Sequence, residues 1–558
     1  MATLGGLMRS LIAEMRTHSR EPLTADAEDA ALTLIGELHA ALQHVRRAPP
    51  LSALPADLLT HIVSLLPVED CVTCLLLCRS LVPAVEEGLQ LRATQMRGVG
   101  SLQPPADWGG SRVSWLVWRE RQQRANPQAL VVAAGTVHSA FVGADGVLMT
   151  CGTEEHRSRS TGLLGHGPGV TRLDRPTRVA ALESFARVVA CDTFSLALTD
   201  SGSVFAWGYG SEGQLGQGDE DDRPTPTLVE ALEGERVSSV AVGDDHALAV
   251  TERGALLTWG YGVDGRLGHG DGEARLMPAI VEALGAVRVA AVAAGRWHSL
   301  AVCERGGLYS WGNGGFGRLG HGDEESLHVP ARVEGLRGAV ITSVAAGTNH
   351  TLAVASDGEL YSWGLGARGQ LGLPSSTWGA EPSMEEELTA SLGIGVPEAP
   401  RPEEQEPGSP GGRADGGRQV CLPVRVESGG ATGREYKVVA AGAHSSFALT
   451  HDGALFSWGA CDGGQLGQGP SHHGGPYIDN GAVQRLPARV TALTDVKVVA
   501  VSAGSKHTLA VTDEGAVYGW GFASPDDPRL GLGATESSSS PRRLEGLCVS
   551  CAPSSWCY

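Results

Sequence analysis

The stretch Trp207–Pro226, WGYGSEGQLGQGDEDDRPTP, decides how the whole chain is read. Its Gly208, Gly210 and Gly213 spell G-x-G-x-x-G directly after the apolar run 203–207. That is the spelling of a dinucleotide-binding turn, where backbone N–H groups meet pyrophosphate at the start of a helix. Here the glycines lead instead into QLG, a run of acidic residues and two prolines, none of which opens a helix. The spelling also returns at Gly260/Gly262/Gly265, Gly312/Gly314/Gly317 and Gly364/Gly366/Gly369. A nucleotide site needs one such loop. Four of them argue for glycine as a former of tight turns, so no cofactor is expected.

Working outward, Trp-Gly closes a strand-like run at positions 207, 259, 311, 363, 458 and 520, and Cys151-Gly152 stands where a seventh is due. Each unit holds four short β-like segments. Around Trp311 they are VRVAAVAAG (287–295), HSLAVC (298–303), GLYSWG (307–312) and, after a glycine-rich loop, PARVEGL (330–336). Three consecutive steps between Trp-Gly positions are 52 residues. The two longest reflect insertions of about 41 residues after Gly372 and about 10 after Gly467. Seven copies of a four-stranded unit predict a mainly β fold, a seven-bladed β-propeller over 129–547. If the P..V..L segment pairs into the following unit, then 541–547 closes the ring against 129–135; otherwise each unit is its own blade.

The totals agree with such a wheel. Glycine supplies 77 of 558 residues with no collagen period, as expected of a protein built from turns. The formal charge of −20 argues against nucleic acid or an anionic membrane as the main partner. No apolar run approaches the ~20 residues that span a bilayer, and the N-terminus lacks the pattern of a secretory signal. Eleven scattered cysteines favour a reducing compartment, cytoplasmic or nuclear.

The word SWGxGxxGQLGxGD, followed by P..V..L and VAAGxxHSLAV, resembles the repeat of the regulator of chromosome condensation family. The resemblance covers about 129–547 in seven copies. It implies a propeller of a kind used by a Ran nucleotide-exchange factor, by a plant ultraviolet photoreceptor and by propellers attached to ubiquitin-ligase parts.

Ahead of the wheel, 1–50 reads as a helical segment with Leu4, Leu7, Met8, Leu11 and Met15 on one face. Residues 51–97 contain LPADLLTHIVSLLPVED, with Pro55 suited to a first helical turn and Pro67 ending that helix. The order L-P-x-x-L-L-x-x-I-x-x-x-L-P, then L-x-x-x-C-R, resembles an F-box, a small all-α domain that docks a Skp-type adaptor of a cullin ubiquitin ligase. The matching positions are Leu54, Pro55, Leu59, Ile62, Leu65, Pro67, Leu76 and Cys78; Leu81 stands where many F-boxes carry Trp. A linker with a helix fills 98–128, and 548–558 is a tail. The insertion at about 373–418, rich in Pro, Gly and Glu, reads as disordered.

Histidines recur at one repeat position: His138, His246, His298, His350 and His507, with Phe194 and Ser445 in the other two units. A shared metal would need their nitrogens about 2 Å from one ion, and radial spacing argues against it. The expectation is an imidazole hydrogen-bonded within its own blade, with no metal bound. The repeat tryptophans read as blade core. Cys548, Cys551 and Cys557 have a CxxC spacing without a convincing second ligand pair.

The residue preceding each histidine position varies: Val137, Thr193, Asp245, Trp297, Asn349, His444 and Lys506. These are expected to rim one mouth of the channel, and Asp245, Trp297, Asn349, His444 and Lys506 are the candidate target-binding residues. No Ser elbow, H-E-x-x-H helix or kinase set appears. The sequence thus reads as a non-enzymatic substrate receptor: F-box on a Skp-type adaptor and cullin ligase, propeller on an unknown target protein. The competing readings are a guanine nucleotide exchange factor for a Ran-like small GTPase and a non-catalytic propeller scaffold.

Overall fold

The computed structural model describes residues 131–154, 162–180, 183–374, 419–427, 435–469, 483–524, 526–533 and 537–549. The helical expectations for 1–128, including every adaptor-binding position, lie outside these residues, as does the insertion from 375 to 418.

Twenty-eight strands form seven four-stranded antiparallel sheets, each from strands consecutive in sequence. Blade 1 holds β1 (Val132–Ala134), β2 (His138–Val142), β3 (Leu148–Thr153) and β4 (Arg172–Arg178). Blade 2 holds β5 (Phe185–Ala190), β6 (Phe194–Thr199), β7 (Val204–Gly208) and β8 (Arg223–Leu228). Blade 3 is β9 (Val237–Val242), β10 (His246–Thr251), β11 (Leu256–Gly260) and β12 (Arg275–Ile280). Blade 4 is β13 (Val289–Ala294), β14 (His298–Cys303), β15 (Leu308–Gly312) and β16 (Leu327–Arg332). Blade 5 contains β17 (Ile341–Ala346), β18 (His350–Ala355), β19 (Leu360–Leu365) and β20 (Gln419–Arg425). Blade 6 contains β21 (Tyr436–Ala441), β22 (Ser445–Thr450), β23 (Leu455–Ala460) and β24 (Val483–Arg489). Blade 7 has β25 (Val498–Ala503), β26 (His507–Thr512), β27 (Ala516–Gly521) and β28 (Ser538–Cys548).

The P..V..L segment pairs within its own repeat: Arg332 of β16 faces Tyr309 of β15. Of the two closures left open by the sequence, the ring therefore takes the one without strand exchange. Closure falls to the end of the chain. β28 runs to Cys548, one residue past the expected boundary, and Val549 forms an antiparallel bridge with Gly143 of blade 1. Leu544, Leu547 and Val549 pack with Val132, Phe141 and Cys151 across that seam.

The apolar core lies in the seams between blades, because a single sheet cannot cover its own two faces. One cluster joins Leu196 and Val204 of blade 2 to Val240 and Trp259 of blade 3. Equivalent clusters occupy the other junctions, including Leu300 with Trp363 and Val439 with Leu352. All six repeat tryptophans are fully buried there. Alanine and valine of the seven innermost strands, among them Ala190, Val242, Ala294 and Ala441, line a narrow central cavity of about 130 Å³. The outer strands are polar edges: β4, β8, β12, β16, β20, β24 and β28 each carry at least one Pro and one Arg. Both residues discourage pairing of an exposed edge with another chain.

The glycine pattern that opened the reading has two physical origins. Gly208 and Gly213 lie at φ 110° and 73°, the left-handed region that costs other residues free energy. Gly210 is not left-handed, yet a Cβ there would stand 2.2 Å from the Asp221 carbonyl. The loop returns to β8 and starts no helix.

Candidate functional site

Strand order places two sets of connections on the same face of the wheel: the turn from first to second strand and the loop from third to fourth. They are also bonded together. The carbonyls of Asp245, Trp297, Asn349, His444 and Lys506 accept the N–H of Tyr261, Asn313, Leu365, Ala460 and Phe522, at 2.8 to 3.0 Å. All five candidate residues therefore occupy equivalent places round one mouth, as the repeat required. Asp245, Trp297, Asn349 and His444 are half-buried and Lys506 is exposed, whereas Val137 and Thr193 are buried.

The histidine behind each turn does something the sequence reading did not foresee. It does not bond within its own blade. Nε2 of His138, His246, His298, His350 and His507 pairs with a hydroxyl of the next blade: Ser195, Ser299, Thr351, Ser446 and Ser139, at 2.8 to 3.0 Å. The hydroxyls of Ser299, Thr351, Ser446 and Ser139 in turn donate to a carbonyl back in the histidine's own blade, as Ser299 Oγ does to Arg266 O at 2.8 Å. With its proton so used, each of these hydroxyls must accept from Nε2–H, which fixes the tautomer. Trp311 Nε1 donates to the same Arg266 carbonyl at 2.9 Å. Each relay stitches two blades with no charge buried. Desolvation, aided by neighbouring cations, holds His246, His298 and His507 well below the usual histidine range, and His350 at about 3. Among the described residues no group of His, Cys, Asp or Glu has the arrangement to hold a metal ion.

The space for the ring explains the repeated G-x-x-H. A Cβ on Gly243 would fall 2.1 Å from the His246 ring, with no positive φ involved. Blade 2 has Cys191 at that glycine's place, Phe194 at the histidine's, and Ala247 at the hydroxyl's place in blade 3. All three members have changed together.

Over this frame, blades 3 to 5 carry a cluster that repeat reasoning missed. Arg266 has a fully buried side chain, and its guanidinium lies 5.0 Å from the Tyr261 ring and 4.9 Å from the Trp297 ring. Arg296 approaches Trp297 at 5.0 Å and pairs with Asp244 at 2.7 Å. Asp264 accepts from Asn313 Nδ2 at 2.9 Å and lies 3.5 Å from Arg266 Nη2. Arg318 in the next loop sits 5.7 Å from the Phe316 ring, and burial brings its guanidinium down to about 10. The available signal was that the position before LG alternates between Gln and Arg: Gln214, Arg266, Arg318, Gln370, Gln465 and Arg529. Trp297 is the one tryptophan on this mouth among the described residues; the others point into the seams.

Asp264 and Phe316 occupy the same loop position in blades 3 and 4, both at φ near +60°. They are the only non-glycine residues there among those described. The arrangement can bind through stacking, cation–π contact and hydrogen bonds, and it brings no nucleophile together with a base.

Comparison with known proteins agrees with the wheel. Residues 111–403 match the model of the RCC1-like domain, and 452–511 match the regulator of chromosome condensation (RCC1) repeat. The ultraviolet-B receptor UVR8 of Arabidopsis thaliana is 33% identical over 425 residues, 76% of this chain and 83% of that protein. The human E3 ubiquitin-protein ligase HERC2 is 32% identical over 70% of this chain, a stretch that is 7% of the ligase. Among solved structures, Prp20p of Saccharomyces cerevisiae, described with its binding to Gsp1p and histones, superposes with a TM-score of 0.54. It is 24% identical over 71% of this chain and 83% of that one. By its matched domain, its repeat and its seven closed blades, the chain belongs to the family of RCC1-like propellers.

Proposed function

We propose that the protein is a non-enzymatic substrate receptor of a cullin-type ubiquitin ligase, working in the cytoplasm or nucleus. The F-box-like positions Leu54, Pro55, Leu59, Ile62, Leu65, Pro67, Leu76 and Cys78 dock a Skp-type adaptor. The face bearing Asp245, Trp297, Asn349, His444 and Lys506 holds the target, which is modified by proximity to the ligase's conjugating enzyme. One observation carries this reading: an F-box word between 54 and 67 stands on the same chain as a wheel whose mouth varies from blade to blade over a repeated frame. The likeness to a propeller segment of an E3 ubiquitin-protein ligase supports the pairing.

A second reading, nucleotide exchange on a Ran-like GTPase, is favoured by the shared fold with Prp20p. One experiment separates them. The full chain is co-purified with a Skp-type adaptor, and nucleotide release from Ran is measured beside it. Adaptor binding that Leu65→Asp abolishes, without accelerated release, supports the receptor. Fast release without adaptor binding replaces it with the exchange factor.

A further inference from the structure

Seven similar blades should expose similar surfaces, and they do not. Every large apolar side chain that is strongly exposed among the described residues lies between 263 and 422, in blades 3 to 5. Two pairs form ridges across seams, each on a loop that packs against the neighbouring outer strand. The loop tip of blade 3, Val263 at 40% exposure, runs through Gly265, which presses on His328, to Val329 at 45% on the outer strand of blade 4. One blade further on, Phe316 at 36% runs through Gly317, which presses on Cys421, to Leu422 at 51% on blade 5. At the matching outer positions blades 1, 2 and 7 carry Arg175, Thr225 and Ser540.

The same loops supply charge. Arg275 pairs with Asp271 at 2.7 Å and Gln419 bonds Glu324, whereas Glu273, Asp323 and Glu325 stand exposed beside the ridges. Phe316 is held against this acidic loop by its own N–H, which donates to Glu324 at 3.3 Å. A bulky residue at positive φ carries a backbone cost that Gly would not, and the part-exposed ring returns to the fold a cation–π contact with Arg318 at 5.7 Å. That cost makes sense for a side chain kept for an outside contact.

We propose that the sector of blades 3 to 5 between the Val263–Val329 and Phe316–Leu422 ridges is a docking surface for a partner-protein segment carrying apolar side chains interspersed with Lys or Arg. Apolar side chains of the segment cover the ridges, and its cations meet Glu273, Asp323 and Glu325. This rests on the reading of the propeller as a recognition module and locates its partner off the channel axis, to one side of the mouth.

The test uses the full-length protein and a phage-displayed library of random twelve-residue peptides, followed by fluorescence anisotropy on synthetic copies of the enriched sequences. The expected consensus mixes apolar and basic residues. Its affinity should fall at least tenfold on Phe316→Gly, on Leu422→Ser, and on Asp323→Lys combined with Glu325→Lys, and stay unchanged on Arg175→Ser in blade 1. Phe316→Gly should meanwhile leave the melting temperature within about 2 °C, because the relieved backbone cost offsets the lost Arg318 contact; a large fall in melting temperature would assign the ring a structural role and overturn the proposal. No enrichment, acidic peptides, or equal binding by the variants overturns the proposal. So does a sedimenting dimer that Leu422→Ser dissolves, which would make the occupant a second copy. Adaptor capture sensitive to Leu65→Asp is read separately, so the receptor and its docking sector can fail independently.

Discussion

Between blades 3 and 4 the chain uses Gly243, His246 and Ser299; between blades 2 and 3 it uses Cys191, Phe194 and Ala247. The first set is a polar relay closed on the Arg266 carbonyl, and in the second Phe194 and Ala247 join the apolar cluster of that seam. Both seams are buried and both are complete. The difference teaches that the seam tolerates either chemistry when the members change as a set; between blades 6 and 7 only the histidine is replaced, and the hydroxyl of Ser445 is left buried without a partner. A buried donor without its acceptor carries the whole desolvation penalty, whereas replacing both partners with apolar groups is nearly neutral. The junction of blades 7 and 1 adds a third solution. Its relay, His507 to Ser139, is intact, but Cys151 takes the tryptophan's place and the end of β28 packs over the gap.

The largest expected effect probes that last substitution. Trp311→Cys copies blade 1 into blade 4, where no terminal strand covers the loss. It should destabilise by about 3–5 kcal/mol, the range for removing a buried aromatic side chain, measured by urea unfolding. A loss below about 1 kcal/mol would mean that the tryptophan is dispensable and the β28 closure compensates for nothing.

Grafting one seam into another comes next. Ser299→Ala alone strands the His246 Nε2–H and should cost about 1–3 kcal/mol. Gly243→Cys alone drives a side chain into the imidazole, an overpacking cost again of about 1–3 kcal/mol. The triple change Gly243→Cys, His246→Phe, Ser299→Ala rebuilds the seam of blades 2 and 3 and should recover most of the loss in a double-mutant-cycle analysis. Additive losses would break the comparison.

The smallest effect per residue is the pH dependence. Burial depresses His246, His298, His350 and His507 in the folded state. Below about pH 6.5 the unfolded chain binds protons at these positions and the folded chain does not. Stability is therefore fully present above that pH and declines as pH falls toward the depressed folded values. Each histidine contributes a slope of at most about 1.4 kcal/mol per pH unit. Replacing His246 together with Ser299, by Phe and Ala, should flatten the profile between pH 6.5 and 5 by one proton's worth. An unchanged slope would show that the imidazole does not titrate as argued.

Much of the wheel was legible because copying is visible in one dimension. Trp-Gly at a spacing of 52 residues, G-x-x-H and the QLG loops fixed seven units, their strands and the one-mouth placement of Asp245, Trp297, Asn349, His444 and Lys506. Contacts that cross a seam were not legible. His246 and Ser299 are 53 positions apart, and Arg266 and Trp297 are 31 apart; nothing within one repeat says which neighbour a side chain meets. The expectation of an imidazole bonded in its own blade failed for that reason.

By itself, then, the sequence determined a seven-fold repeated sheet whose glycines answer to turn geometry and close packing, because local conformational limits act within a few residues and recur with every copy. Only the tertiary structure decided how blades are latched, how the ring shuts at Val549 and that the exposed apolar side chains gather in one sector. Those depend on which copies become neighbours in space, and an almost symmetric sequence acquires its asymmetry only when the ring closes.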